Sequence, residues 1–204
     1  MKKIFMSVLS MVILTAEAVS AESHLNDLNV DQSFRTAVNL VGDKQYVDAI
    51  NIFIILAERE IPEAQYNLSL LLFNGLGAPK NFKGALKWAW KAYLNEHEFA
   101  QTQVNDILNM IPADVRDSIA NELIQELSEI AKNGDQLATL KVGITYTELL
   151  SEPDYLSAYV WLSIAQAYGI QKASPLLMDV TDQLTIEDVL AQQELAATLF
   201  EKMK

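Results

Sequence analysis

Along most of the chain, apolar residues recur at spacings of three and four, and strict apolar–polar alternation is almost absent. That period puts an apolar stripe on one face of each of a series of helices and argues against half-buried strands. Glycine and proline fall between these segments and punctuate them. Pro62 precedes EAQYNLSLLLF and suits the first turn of a helix, where a missing N–H has no partner to lose. Asn81 and Asp154 stand as N-caps ahead of FKGALKWAWKAYL and YLSAYVWLSIAQAY. Thr185-Ile186-Glu187-Asp188 resembles a capping box with Asp in place of Glu. Gly134 and Gly169 follow helix ends, where a left-handed residue is wanted. The pattern predicts an all-α chain of about nine or ten helices joined by short turns.

The helices also repeat. AINIFIILAEREIPEAQ (Ala49 to Gln65) and ALKWAWKAYLNEHEFAQ (Ala85 to Gln101) align at an offset of 36 residues. A longer echo relates Ala64 to Ala138 and MIPADV (from Met110) to LTIEDV (from Leu184), each 74 apart, and Trp88 to Trp161, 73 apart. A helix-pair period therefore lies inside a duplicated four-helix unit. Each pair buries one stripe internally and leaves another for the next pair to cover, which predicts a solenoid of antiparallel helix pairs. Ala64, Ala85, Ala92, Ala138, Ala158 and Ala165 let backbones approach, and Trp88 and Trp161 fill wider gaps between layers.

Around Asn74 the chain reads Ala64, Leu68, Ser69, Leu72, Gly75, Gly77, Gly84-Ala85, Trp88 and Ala92. This resembles the Sel1-like repeat, a relative of the tetratricopeptide repeat, with Ser and Leu where that pattern has Gly and Tyr. A second copy reads Ala138, Val142, Gly143, Tyr146, Ala158, Trp161 and Ala165, with TELLSEPD replacing the glycine loop, and Gln32 to Gln65 resembles a weaker first copy. The resemblance implies a right-handed α-solenoid and a role in binding other proteins. By analogy with tetratricopeptide repeats, the first helix of each pair lines the concave side. Tyr66, Leu70 and Phe73 would then face a groove from one helix and Leu140 and Ile144 from its counterpart. Trp90, flanked by Lys87 and Lys91 and turned away from Trp88, is a further candidate contact.

The first residues carry a different pattern. Met1-Lys2-Lys3 is followed by an apolar run from Ile4 to Thr15 and by small residues at AEA and VSA, the layout of a secretory signal peptide. Cleavage is expected after Ala21, with Ala18 as the alternative, for a periplasmic or secreted protein with no stable membrane insertion. The expected division is a signal peptide over 1–21, a leader over 22–30 and a helical repeat domain over 31–204. The chain of 204 residues carries a net charge of −12, which disfavours nucleic acid because that binding needs basic groups to displace counterions. It has no cysteine, so disulfides, thiol nucleophiles and cysteine-based zinc sites are ruled out.

Candidate chemistry is sparse. Gly75-x-Gly77 follows a helix and matches neither nucleotide fingerprint, so it reads as a turn between helices. His24 lies in the leader, and His97, flanked by Glu96 and Glu98, reads as a solvated helix start. Glu58 with Glu60 and Asp114 with Asp117 read as carboxylates on a wet face. No catalytic, cofactor or metal residue is expected. The predicted function is an exported, non-catalytic scaffold for a protein or peptide partner. The alternatives are a peptidoglycan-associated binder or hydrolase accessory, and a subunit that assembles by stacking its terminal repeats.

Overall fold

The computed structural model describes residues 29–204, and among these there is no strand. Helix α1 spans 29–42 and is followed by α2 (Tyr46–Glu58), α3 (Pro62–Asn74), α4 (Phe82–Leu94), α5 (Ala100–Leu108) and α6 (Ala113–Lys132). The second half holds α7 (Gln136–Ile144), a π-helical turn (Thr145–Leu149), α8 (Tyr155–Ala167), α9 (Ala173–Thr181) and α10 (Ile186–Met203). Asn29 and Val30, expected in the leader, already belong to α1. The signal segment and the rest of the leader, His24 included, lie outside the described residues.

Most neighbours in sequence are neighbours in space, the exceptions being α5 with α6 and α9 with α10, where α6 packs instead on α4 and α10 on α8. Helix α2 packs on α3, α3 on α4 and α4 on α5; then α6 packs on α7, α7 on α8, and α8 on both α9 and α10. Connections of a few residues between packed helices reverse the chain each time, giving an all-α solenoid of antiparallel helix pairs. The core follows the same order. One cluster joins Phe53, Leu56 and Leu68, the next joins Leu86, Trp90, Ile107 and Leu123, and a third joins Leu140, Leu162 and Val180. The duplicated unit is α3–α6 followed by α7–α10. Helices α4 and α8 each have 13 residues and α5 and α9 each have 9, while α6 has 20 and α10 has 18.

The small residues of the repeat signature sit at the contacts. Ala64, Ala85, Ala92, Ala138, Ala158 and Ala165 are all buried, as are Leu68 and Trp161. Trp88 is half-buried against the first cluster. Ser69, where the repeat pattern has Gly, is buried and donates its hydroxyl to the Ala85 carbonyl at 2.8 Å. In the second copy Gly143 keeps the glycine, because a Cβ there would stand 2.6 Å from the Leu162 side chain. Tyr146 is half-buried in the π-helical turn, where burial pushes its hydroxyl up.

Helix ends account for the turns. Asn81, Asp135, Asp154 and Thr185 cap α4, α7, α8 and α10, the last in a reciprocal capping box with Asp188. Gly75 and Gly77 have φ of 72° and 78°, and a Cβ on Gly77 would meet the Tyr46 carbonyl at 2.5 Å. The loop is therefore a tight crossing over the start of α2. Helices α2, α4, α6 and α8 end in one recurring bond, from Ile61 to Leu56, His97 to Ala92, Asp135 to Ile130 and Ile170 to Ala165. The residue before each donor is left-handed: Glu60, Glu96, Gly134 and Gly169. For a residue bearing a Cβ that conformation costs about 1–2 kcal/mol, and the first copy accepts it at two glutamates where the second has glycine.

Candidate functional site

The main concavity, of about 650 Å³, opens between the end of α4 and the start of α7. Its apolar floor comes from Leu94 on α4, from Leu137, Leu140 and Ile144 on α7, and from Ile170 before α9. Leu137 is 57% exposed. A second cavity of about 300 Å³ shares Glu60, Leu94 and Lys141 with the first and continues past Trp88 and Lys91 to Glu126. The two adjoin at Glu60, Leu94 and Lys141 and together are called the groove.

Ion pairs cross the groove. Glu60 follows α2 and accepts from Lys141 of α7 at 3.1 Å; Asn95 donates to the same carboxylate at 3.0 Å and to Gln65 Oε1 at 2.9 Å. Lys172, before α9, pairs with Glu96, after α4. Lys91 and Lys87 of α4 hold Glu126 of α6, the latter at 2.9 Å. Burial pushes the Glu126 carboxyl up, yet the two ammonium groups outweigh it and hold it below the ordinary range.

His97 is not a solvated helix start. Its ring stacks on Tyr66 with centroids 4.2 Å apart and planes 18° from parallel, and its Nδ1 accepts from the Phe99 N–H at 3.3 Å. Burial lowers its pKa from 6.5, against the pull of Glu63 and Glu98. A sequence signal for this existed. At the repeat offsets His97 matches Ile61 and Ile170, the position after a left-handed residue that carries a hydrophobic contact.

The structure separates the predicted contact residues. Leu140 and Ile144 line the groove, Leu140 largely buried and Ile144 half-exposed. Tyr66 lies under the His97 ring, and Phe73 packs on Phe82 at 5.4 Å, so α4 and the turn after it cover much of the α3 stripe. Leu70 is half-buried and outside the groove lining. Trp90 is a correction: it is 2% exposed and donates from Nε1 to Thr145 Oγ1 at 3.0 Å. Helix α6 and the π-helical turn enclose the face of α4 that was expected to be open.

That turn has its own clamp. Arg116 Nε donates to the Leu149 carbonyl at 2.7 Å, and Nη2 donates to those of Glu148 and Leu150 at 3.0 and 2.9 Å. The guanidinium fork thus takes carbonyls that the widened turn leaves without helical partners. Asp117 accepts from the Ser151 hydroxyl and N–H at 2.6 and 2.7 Å, which lowers its pKa. Burial, followed by its bond to Glu148, pushes the Tyr93 hydroxyl up. Among the described residues no group of three or more His, Asp and Glu could hold a metal ion. None of their helices is long and apolar enough to cross a membrane.

No family model matches the chain, and no curated protein matches it. Among solved structures it is similar to a protective antigen of uropathogenic Escherichia coli displaying an SLR fold, at 18% identity and a TM-score of 0.35, over 85% of this chain and 46% of that one. It thus spans less than half of that protein's length. It is also similar to a Sel1 repeat protein from Oxalobacter formigenes, at 18% identity and a TM-score of 0.29, over 83% of this chain and 87% of that one.

Proposed function

We propose that this chain is a Sel1-like repeat protein that works, without catalysis, as a scaffold holding a segment of another protein in the groove between α4 and α7. The observation carrying this reading is an apolar lining left partly open to solvent, in which Leu137 is 57% exposed. A preformed concave surface binds a peptide without first ordering itself, which favours affinity. Ala64, Gly75, Gly77, Trp88 and Ala92 support the repeat assignment, and the run from Met1 to Ala21 supports export to the periplasm or beyond.

A photo-cross-linking residue placed at Leu137 tests the groove, with one at Val47, an exposed residue of α2, as its control. Irradiation in the native envelope and secreted fraction should give a discrete protein adduct from position 137 and none from 47. Equal adducts from both, or murein fragments alone, would overturn the scaffold reading. N-terminal sequencing of the purified protein should begin at Glu22; a chain still starting at Met1 would overturn the export reading.

A further inference from the structure

We propose that the occupant of the groove is a basic segment that also carries apolar side chains, so that its cations meet the groove walls and its apolar groups meet the floor. This rests on the scaffold reading and adds the chemistry of the partner. Every lysine on the walls is already committed: Lys91 to Glu126, Lys141 to Glu60 and Lys172 to Glu96. Glu58 and Glu98 also stand in the lining, and among the described residues neither has an ion-pair partner. The groove therefore keeps an excess of carboxylates over a floor of leucine and isoleucine, on a chain whose net charge is −12. Such a surface attracts cationic segments and repels anionic ones.

The duplication supplies a second, independent reason. At the four matching helix ends, the second copy uses Gly134 and Gly169, and the first uses Glu60 and Glu96 at φ of 60° and 65°. Glycine is the relaxed choice at such positions, so the first copy holds a strained backbone there. Both carboxylates so placed project into the groove and reach lysines of the second copy. Lys44, outside the groove, holds the same conformation at φ of 61°, so what sets Glu60 and Glu96 apart is that their carboxylates meet the binding surface, where retained strain fits a recognition role. In the complex, an arginine or lysine of the partner joins or displaces Lys141 and Lys172 at these carboxylates.

Fluorescence anisotropy with a short labelled peptide of repeated Arg-Leu-Ser units tests this, with repeated Glu-Leu-Ser units as the reversed probe. The basic peptide should bind, weaken with added salt, and weaken about tenfold in the pair Glu58→Lys and Glu98→Lys. The pair Glu187→Lys and Glu194→Lys, on exposed positions of α10, changes the net charge equally and should leave binding unchanged. Glu60→Gly with Glu96→Gly restores the glycines of the second copy; it should stay folded by circular dichroism and bind about tenfold more weakly. Equal loss from the two lysine pairs, or full binding by the glycine pair, would overturn the proposal. If the acidic peptide binds instead and Leu137→Asp abolishes it, the groove stands and the basic partner falls. If neither peptide binds, both readings fall.

Discussion

Arg116 illustrates how one side chain secures a turn that local propensity does not. Its three contacts use the fixed fork of the guanidinium, which an ammonium on a flexible stem does not reproduce. Arg116→Lys should therefore lower stability by about 1.5–3 kcal/mol, read as a shifted urea midpoint at unchanged slope. Gln103 raises the opposite expectation: it is buried, and its side-chain nitrogen lacks a partner. Gln103→Met removes that group at similar volume and should raise stability by about 1 kcal/mol in the same measurement. His97 sets a pH dependence. Its folded pKa lies below the 6.5 of an unfolded histidine, so between the two values the unfolded chain binds more protons. Stability is then complete above 6.5 and falls as the pH drops through that value. His97→Phe keeps the stack on Tyr66 without titrating, so the wild type should lose more melting temperature than this variant between neutral and mildly acid pH.

Among the elements, the helices and most of their caps were legible because they are set by neighbours within a few residues. Asn81, Asp154 and Thr185 read correctly as caps for that reason, as did the left-handed Gly134 and Gly169. The π-helical turn was not legible. What surrounds Thr145–Leu149 comes from Trp90 and Arg116, 55 and about 33 residues earlier in the chain, and no local pattern announces such partners. Trp90 was misread for the same cause, since periodicity gives the face of a helix but not what later covers it. The groove was half legible: Leu140 and Ile144 follow from the helix period, whereas Glu60, Glu96 and Lys172 come from turns whose aim depends on how the copies stack. The close fit of Gly143 on Leu162 belongs to this scale as well. Gly143→Ala puts a methyl where only 2.6 Å is free, and α7 and α8 must separate or Leu162 must shift. Overpacking of this kind costs about 1–3 kcal/mol, and melting of this variant beside Ser69→Ala should show the larger loss at Gly143.

For the whole molecule, stability is distributed along a line of neighbours rather than gathered at one centre. The outer helices have one packed side, and their free faces show it in Val38, 44% exposed on α1, and in Leu190, 56% exposed on α10. The middle helices α4 and α6 are covered from both directions. Native-state hydrogen exchange should accordingly rank opening from the ends inward, with amides of α1 and α10 exchanging first and those of α4 and α6 last. Uniform protection across all helices would mean that the units unfold together. The tryptophan at the seam offers a way to watch this happen. Its indole belongs to the earlier unit and its hydroxyl acceptor to the later one, so once Trp88 and Trp161 are replaced by Phe its emission wavelength is an optical gauge of whether the two remain docked. A red shift at low denaturant, ahead of the main loss of helical signal, would mark the moment the halves part company.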